Sequence, residues 1–208
     1  MLHFETVEPG TFSILMKLMA LPQMKSFHLV GGTALSLLYG HRKSVDLDLF
    51  TIEKFDHDLI INLLKKEFGT TFEYEGGFSK FGIFCFIESV KVDIVYYPHQ
   101  IIIPSLDINE IRIYHPNEIA AMKIQAILGR GKKKDFWDVA EMLNHLTVQD
   151  FINAHQQKFP TQQLLISIPQ ALTYFTDADE SEDPISLKGQ TWTSVKKIIQ
   201  QKVSDYLK

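Results

Sequence analysis

Three acidic residues in the first half of the chain have the spacing of metal ligands on two strands. Asp46 and Asp48 lie in the segment SVDLDLF (44–50), one residue apart, so on a β-strand their side chains would point to the same face. Asp93 lies in a second alternating segment, VKVDIVYYP (90–98), where an acid is costly unless it is paired, exposed or bound to metal. Mg²⁺ prefers oxygen ligands, so the pattern predicts a Mg²⁺ or Mn²⁺ site on these three acids. The alternative to a metal site is that these acids lie at a solvent-exposed strand edge and bind nothing.

Two glycines upstream of the acids are candidates for holding phosphate. Gly31 and Gly32 separate an apolar, strand-like run from the helix-like run 33–40. Missing Cβ atoms allow close approach, and free amides at a helix N-terminus attract anions. A simple tight turn would also use such a pair, but the acids follow closely, and this order is typical of a nucleoside triphosphate site. Further candidates for contacting the phosphates are Thr33, Arg42 and Ser44.

Charged residues in the second half form a weaker pattern. Lys123 and Arg130 are spaced to share one face of a helix, and Asp135 and Asp138 share a face of the next helix. Spacing alone favours ion pairs across a helix hairpin on the surface, which contribute little to stability. The basic run 132–134 is explained most simply as a solvated turn. If the acceptor is RNA, this run is where phosphate contacts are expected.

Composition excludes several classes of protein. The chain has 208 residues, 45% of them apolar, and a formal net charge of −4, which argues against a nucleic-acid binder that works by bulk positive charge. Its single cysteine, Cys85, excludes a disulfide within the chain and lies in an apolar segment typical of a strand in the core. No apolar run approaches the length needed to span a bilayer. We therefore expect a cytoplasmic protein without a membrane partner.

Hydrophobic periodicity predicts an α+β fold, in which a mixed-sheet domain (1–105) is followed by a helical domain (106–208). Strands are expected at 26–32, 44–50, 70–76, 80–89 and 90–98. Helices are expected at 11–24, 33–40, 56–69, 116–129, 134–145, 147–159, 161–175 and 191–206. The acidic segment 176–184 is expected to be a solvated loop.

The motifs together resemble a known group of enzymes. Two glycines, a spacer, Asp-x-Asp and a later strand aspartate resemble the nucleotidyltransferase superfamily that includes DNA polymerase beta. The fuller strings GGTALSLLYGHRKSVDLDLF (31–50), KVDIVYY (91–97) and MKIQAILGRGKKKDFWDVAEML (122–143) resemble the AbiEii/AbiGii toxin family of nucleotidyltransferases. This resemblance covers roughly residues 28–145.

The resemblance implies an activity and roles for particular residues. The family's paired metal-binding acids correspond to Asp46 and Asp48, and its later strand acid corresponds to Asp93. Its lysine on the following helix and its downstream aspartate correspond to Lys123 and Asp135. The implied reaction transfers a nucleoside monophosphate from a nucleoside triphosphate, often to RNA such as tRNA, with Lys123 neutralising triphosphate charge. The implied biological role is that of a toxin with a separately encoded antitoxin.

Other functions stay open at the level of sequence. A protein acceptor, modified by adenylylation, is a variant of the same activity. A degenerate transferase retained as a binding module is the non-enzymatic alternative, although the presence of all three acids counts against it. A phosphohydrolase with an Asp-x-Asp nucleophile is less favoured, because Leu49, Phe50 and Thr51 follow Asp48 where a small turn is expected.

Overall fold

A computed structural model describes residues 1–76 and 80–208. Its strands are β1 His28–Val30, β2 Leu47–Thr51, β3 Phe72–Glu73, β4 Gly82–Ile87, β5 Val90–Tyr96, β6 Leu106–Ile108 and β7 Ile111–Ile113. Its α-helices are α1 Pro9–Ala20, α2 Gly31–Tyr39, α3 His57–Phe68, α4 Pro116–Gly129, α5 Lys133–Met142, α6 Val148–Lys158, α7 Ile168–Thr173, α8 Thr176–Asp179 and α9 Trp192–Tyr206. The predicted α+β class, with a mixed sheet followed by a helical region, is confirmed.

One mixed sheet contains every strand of the described residues, in the order β3-β4-β5-β2-β1-β7-β6. The central strands β2 and β5 are parallel, with Asp48 opposite Asp93, and β1 runs antiparallel to β2, with Val30 opposite Asp48. Alternation in β2 buries Leu47 and Leu49 and leaves Asp48 on the other face. The topology therefore makes the two predicted acid-bearing strands direct neighbours.

The hydrophobic core continues from the sheet into the helical region. A single cluster of buried residues includes Leu18 of α1, Leu49 and Ile94 of the sheet, Ile124 of α4 and Ile199 of α9. α3 packs against β3 and β4, and α5 packs against α2, α4 and α9. The boundary at residue 105 stays a prediction; the sheet itself extends to Ile113.

Several elements differ from the sequence prediction. The hairpin of β6 and β7 was not predicted, since strands of three residues are too short to show a period. The helix predicted at 161–175 is wrong in length, because α7 covers only Ile168–Thr173. The acidic segment 176–184 begins with the short helix α8. Among the helices of residues 1–76 and 80–208, none combines the length and the apolar character that a membrane-spanning helix needs.

The first turn of α2 depends on its glycines. Gly31 has a φ of +70°, and a Cβ there would lie 2.5 Å from Oδ2 of Asp48. A Cβ on Gly32 would overlap the guanidinium of Arg42. Both glycines are the opening residues of the helix itself, not a separate loop before it, and they let Asp48 and Arg42 lie against the helix N-terminus.

We expect Gly31→Ala to lower the free energy of unfolding by about 1–3 kcal/mol, because the methyl group meets the Asp48 carboxylate and the backbone is left-handed. Gly10→Ala is the matched control: Gly10 lies in α1 with no atom within 4 Å of a built Cβ. That variant should be neutral or more stable by up to about 1 kcal/mol. Urea unfolding midpoints measure both, and equal midpoints would contradict the close-packing account.

Candidate active site

A cleft of about 420 Å³ lies between the sheet and α4. Asp48 and Phe50 of β2, Asp93 of β5 and the following Tyr97 form the sheet side of this cleft. The opposite side comes from α4 and includes Ile119, Met122, Lys123, Gln125, Ala126 and Arg130 just after the helix. Val30 and Gly31, where β1 meets α2, close one end. The cleft thus combines carboxylates, a helix N-terminus, cations and an aromatic wall.

Asp48 and Asp93 form a pair of carboxylates with incomplete partners. Their positions are in register on adjacent parallel strands. Oδ1 of Asp93 is buried without a hydrogen-bond partner among the described residues, while Oδ2 accepts from Nζ of Lys91. Burial, followed by the negative charge of Asp93, raises the pKa of Asp48 to about 6. The positive groups of the protein therefore neutralise the negative charge of Asp48 and Asp93 only in part.

Asp46 lies just before β2 and is held differently. One of its carboxylate oxygens is 3.4 Å from Nζ of Lys134 at the start of α5. Its backbone carbonyl accepts a hydrogen bond from the Thr33 hydroxyl. Thr33 and Ser44, both predicted to contact phosphate, are buried with their hydroxyl oxygens 2.8 Å apart. In this structure they fix the segment that carries Asp46.

Asp138 is the centre of a buried ion network. Its carboxylate accepts from Nε2 of His41 at 2.7 Å, from Nε of Arg42 at 2.7 Å and from Nζ of Lys123 at 2.6 Å. Burial opposes ionisation, but the charges of Arg42 and Lys123, together with the bond from His41, hold the pKa of Asp138 well below its usual range. Arg42, predicted as a phosphate contact, is thus buried against Asp138.

Lys123 connects this network to the cleft. Its ammonium lies 2.9 Å from Oδ1 of Asp135 and 2.6 Å from Asp138, and Arg130 also binds Asp135 at 3.2 Å. Lys123 is 5% exposed, so the expectation of surface ion pairs is wrong for this lysine. Burial disfavours its charge, but Asp138 and Asp135 outweigh burial and raise its pKa. Lys123, Arg42 and Arg130 bring one more charge to the network than its two aspartates.

The acids fit a hard divalent cation in part. Every donor offered by Asp46, Asp48 and Asp93 is a carboxylate oxygen, the type that Mg²⁺ and Mn²⁺ favour, and one buried oxygen of Asp93 has no partner. Within residues 1–76 and 80–208, no three His, Cys, Asp or Glu side chains are grouped closely enough to hold a metal. The structure brings Asp48 and Asp93 together, whereas Asp46 contacts Lys134.

Sequence reasoning missed three features of this site. Spacing places Asp138 beside Asp135 on one face of a helix, but spacing within one helix does not show which groups meet across helices. Lys91 contacts Asp93, a pairing that the i, i+2 spacing on one strand could have indicated. Phe50 and Tyr97 line the cleft, and their positions two and four residues after the acids on the same strand faces were the available signal.

Comparisons with known proteins identify the fold. A candidate nucleotidyltransferase from H. pylori has a solved structure that superposes with a TM-score of 0.55 at 16% identity, covering 97% of this chain and 99% of that one. The structure of JHP933 from Helicobacter pylori gives a TM-score of 0.55 at 16% identity, covering 96% and 94%. An uncharacterised protein of Aquifex aeolicus (strain VF5) is 29% identical over 92% of this chain and 93% of its own length. The fold is that of a nucleotidyltransferase.

The family follows from the sequence match. The model of the nucleotidyl transferase AbiEii toxin, of type IV toxin–antitoxin systems, matches residues 13–201. The chain belongs to this family and is a nucleotidyltransferase.

We expect Asp48→Asn to change how stability depends on pH. The pKa of Asp48 is raised in the folded protein, so the folded state holds this proton over a range where the unfolded chain has lost it. Stability from this group therefore falls as pH rises from about 4 to about 6. Asparagine removes that loss, so in metal-free buffer the variant should be more stable than wild type at pH 7.5 by about 1–3 kcal/mol and should lose this advantage near pH 4. A constant difference across urea titrations at several pH values would contradict the raised pKa.

We expect Lys123→Ala to lower the free energy of unfolding by about 3–5 kcal/mol, because it leaves Asp135 and Asp138 short of a buried partner. Lys208→Ala is the control, since Lys208 makes an exposed pair with Asp205 and its loss should change stability by less than about 0.5 kcal/mol. Denaturant unfolding followed by circular dichroism measures both variants. Similar midpoints for the two would show that the network around Lys123 stabilises little.

Proposed function

We propose that this nucleotidyltransferase moves a nucleoside monophosphate from a nucleoside triphosphate to an RNA acceptor such as tRNA. The observation that carries the proposal is the register of Asp48 and Asp93 on adjacent strands, in a cleft that also contains the N-terminus of α2. In this proposal Asp48 and Asp93 would hold Mg²⁺ or Mn²⁺, and Asp46, which contacts Lys134 in this structure, would complete the site. When bound, the ions would neutralise phosphate charge and favour both the attacking oxygen and the leaving pyrophosphate.

Different residues of the cleft bind the triphosphate and the base in this proposal. Free amides at the start of α2, at Gly31 and Gly32, attract the triphosphate. Lys123 and Arg130 contribute positive potential from the α4 side, because their network carries excess positive charge. The base fits against Phe50 and Tyr97, whose ring centroids are 5.2 Å apart and whose faces are suited to stacking.

The proposed reaction is an in-line displacement at the α-phosphorus. An acceptor oxygen forms a bond to this phosphorus, and the bond to the oxygen that bridges to the β-phosphate breaks. Pyrophosphate leaves with that electron pair, and the proton of the acceptor hydroxyl passes to a carboxylate of the acid group. Asp93 is suited to take this proton, because its Oδ1 is free of other hydrogen bonds among the described residues.

The acceptor and the biological setting belong to the same proposal. Lys132 and Lys134 border a second cleft that also contains Asp46, where they are suited to contact RNA phosphates. Membership of a toxin family of type IV systems supports a separately encoded antitoxin as a partner. A cytoplasmic location stays a prediction, and adenylylation of a protein acceptor stays the alternative activity.

The direct test incubates the purified protein with each labelled nucleoside triphosphate, Mg²⁺, total RNA and total protein. We expect label in RNA with the wild-type chain and a loss of orders of magnitude in Asp48→Asn and Asp93→Asn, which remove the charge that offsets the ions. Both variants should remain folded, as circular dichroism would show. Label in protein alone would favour adenylylation. Transfer near the wild-type rate in a well-folded Asp48→Asn protein would contradict the proposed site.

A companion measurement tests binding without turnover. Ligands that bind only the folded state raise the melting temperature, so Mg²⁺ together with at least one nucleoside triphosphate should do so. Asp205→Asn, an exposed acid distant in sequence from the cleft, should show the same shift as wild type. No shift with any of the four triphosphates would count against the cleft as a nucleotide site.

A further inference from the structure

Two phenylalanines on β4 project from the sheet on the same side as the acids. Phe84 is 50% exposed and Phe86 is 46% exposed, whereas Ile83, Cys85 and Ile87 between and beside them are buried on the other face. Burying these rings would stabilise the fold, yet the strand leaves both in solvent. Two exposed rings at alternating positions on one strand lie on the same face of the sheet, and we call this patch the phenylalanine platform.

The platform adjoins the acids through the strand register. Phe84 lies opposite Asp93 on β5, and Asp93 lies opposite Asp48 on β2. The three side chains therefore form one row across three adjacent strands, with neighbouring strands about 4.8 Å apart. A molecule resting on Phe84 reaches Asp93 directly, from the side of the acids away from α2.

A cation accompanies the second ring. Phe86 lies opposite Lys91, whose side chain is 44% exposed while it contacts Asp93. An exposed aromatic face beside an exposed ammonium is complementary to unpaired nucleobases and their phosphates. Bases stack on such rings without regard to sequence, because every base has a π-face. On its other side Phe86 lies opposite Glu73 of β3, so the match to a single-stranded nucleic acid rests on the two aromatic faces and on Lys91, and not on a net positive charge.

A second copy of this chain is a poorer occupant for the platform. Half of each ring amounts to roughly 200 Å² for the two phenylalanines together, well below the ~800 Å² per partner of a stable interface. A patch of this size suits two stacked bases better than it suits a protein partner.

We propose that Phe84 and Phe86 stack the unpaired terminal bases of a single-stranded RNA acceptor and thereby bring its reacting hydroxyl to Asp93. This inference rests on the proposed transferase function and specifies how the acceptor is recognised. Lys91 contacts the acceptor backbone beside the stacked bases. The nucleoside triphosphate lies on the α2 side of the acids, so acceptor and donor approach the same carboxylates from opposite sides.

The test is fluorescence anisotropy of a short, labelled single-stranded oligoribonucleotide with full-length protein. Phe84→Ala and Phe86→Ala should each weaken binding by at least about fivefold, the lower end of the range for losing one stacked base. Phe84→Tyr should retain wild-type affinity, and Phe84→Leu should not, because leucine keeps apolar area without a ring. Tyr174→Ala is the matched control, since Tyr174 is a 52% exposed aromatic residue at the end of α7 and its loss should leave affinity unchanged.

Two further readouts separate the platform from the transferase proposal. The Phe84→Ala, Phe86→Ala double variant should keep the melting-temperature shift with Mg²⁺ and nucleoside triphosphate. Unchanged RNA affinity in this double variant, with that shift intact, would overturn the platform and leave the nucleotide site standing. If Mg²⁺ with nucleoside triphosphate does not raise the melting temperature of the wild-type protein, the proposed function itself is contradicted.

The other possible occupants give distinct results. A blunt RNA duplex of the same sequence that binds as tightly as the single strand would overturn the platform, because a duplex exposes only the face of its terminal pair and its other bases are already stacked on each other. A dimer of the wild-type chain that dissociates in the double variant, without a change in RNA affinity, would assign the rings to a contact between copies. Label transfer to protein that depends on both rings, without RNA binding, would also overturn the proposal.

Discussion

The carboxylate of Asp138 is the contact on which the arrangement of this protein depends. It joins Lys123 of α4 to Arg42 and His41 in the segment after α2, so one acid on α5 holds α4 and this segment together. Because all four side chains are buried, removing one partner leaves uncompensated charge in a low dielectric. The segment held in this way leads directly into Asp46 and β2, and the network thereby sets the position of the acids relative to α4.

The two groups of carboxylates in this structure have opposite electrostatics. Cations surround Asp138, and its pKa is depressed; Asp48 lies beside Asp93, and its pKa is raised. The ion pairs around Asp138 stabilise the fold. Burying Asp48 beside Asp93 is unfavourable, and it persists because the surrounding contacts hold both strands in place. Lys91, which contacts Asp93, and Lys134, which contacts the nearby Asp46, are partly exposed, so their pairs are weak and easily exchanged. Such a contrast is expected where one group of acids serves folding and the other serves a ligand.

Sequence predicted the elements with strong periodicity and much of the acid group. Alternation around Asp48 and Asp93 predicted β2 and β5, but it could not show that these strands are neighbours, which the register shows. Contacts between distant segments could not be predicted, because a charged helix face has the same sequence pattern whether it faces solvent or another helix. Lys123 is the clearest case: its spacing favoured the surface, and its partners across α5 bury it. The alternation that exposes Phe84 and Phe86 was visible, but only the register relates these rings to the acids.

Helix α4 is fixed at two levels by charges of opposite sign. Near its start, Glu118 is fully buried and binds Nζ of Lys158 on α6 at 2.6 Å, and it accepts from the amide of Ile103 at 3.0 Å. One turn and a half further on, Lys123 binds the aspartates of α5. Between these anchors, Met122 presents an apolar side chain to the cleft. Since neither anchor requires a ligand, the cleft wall is set by the fold, and binding energy is not consumed in assembling it.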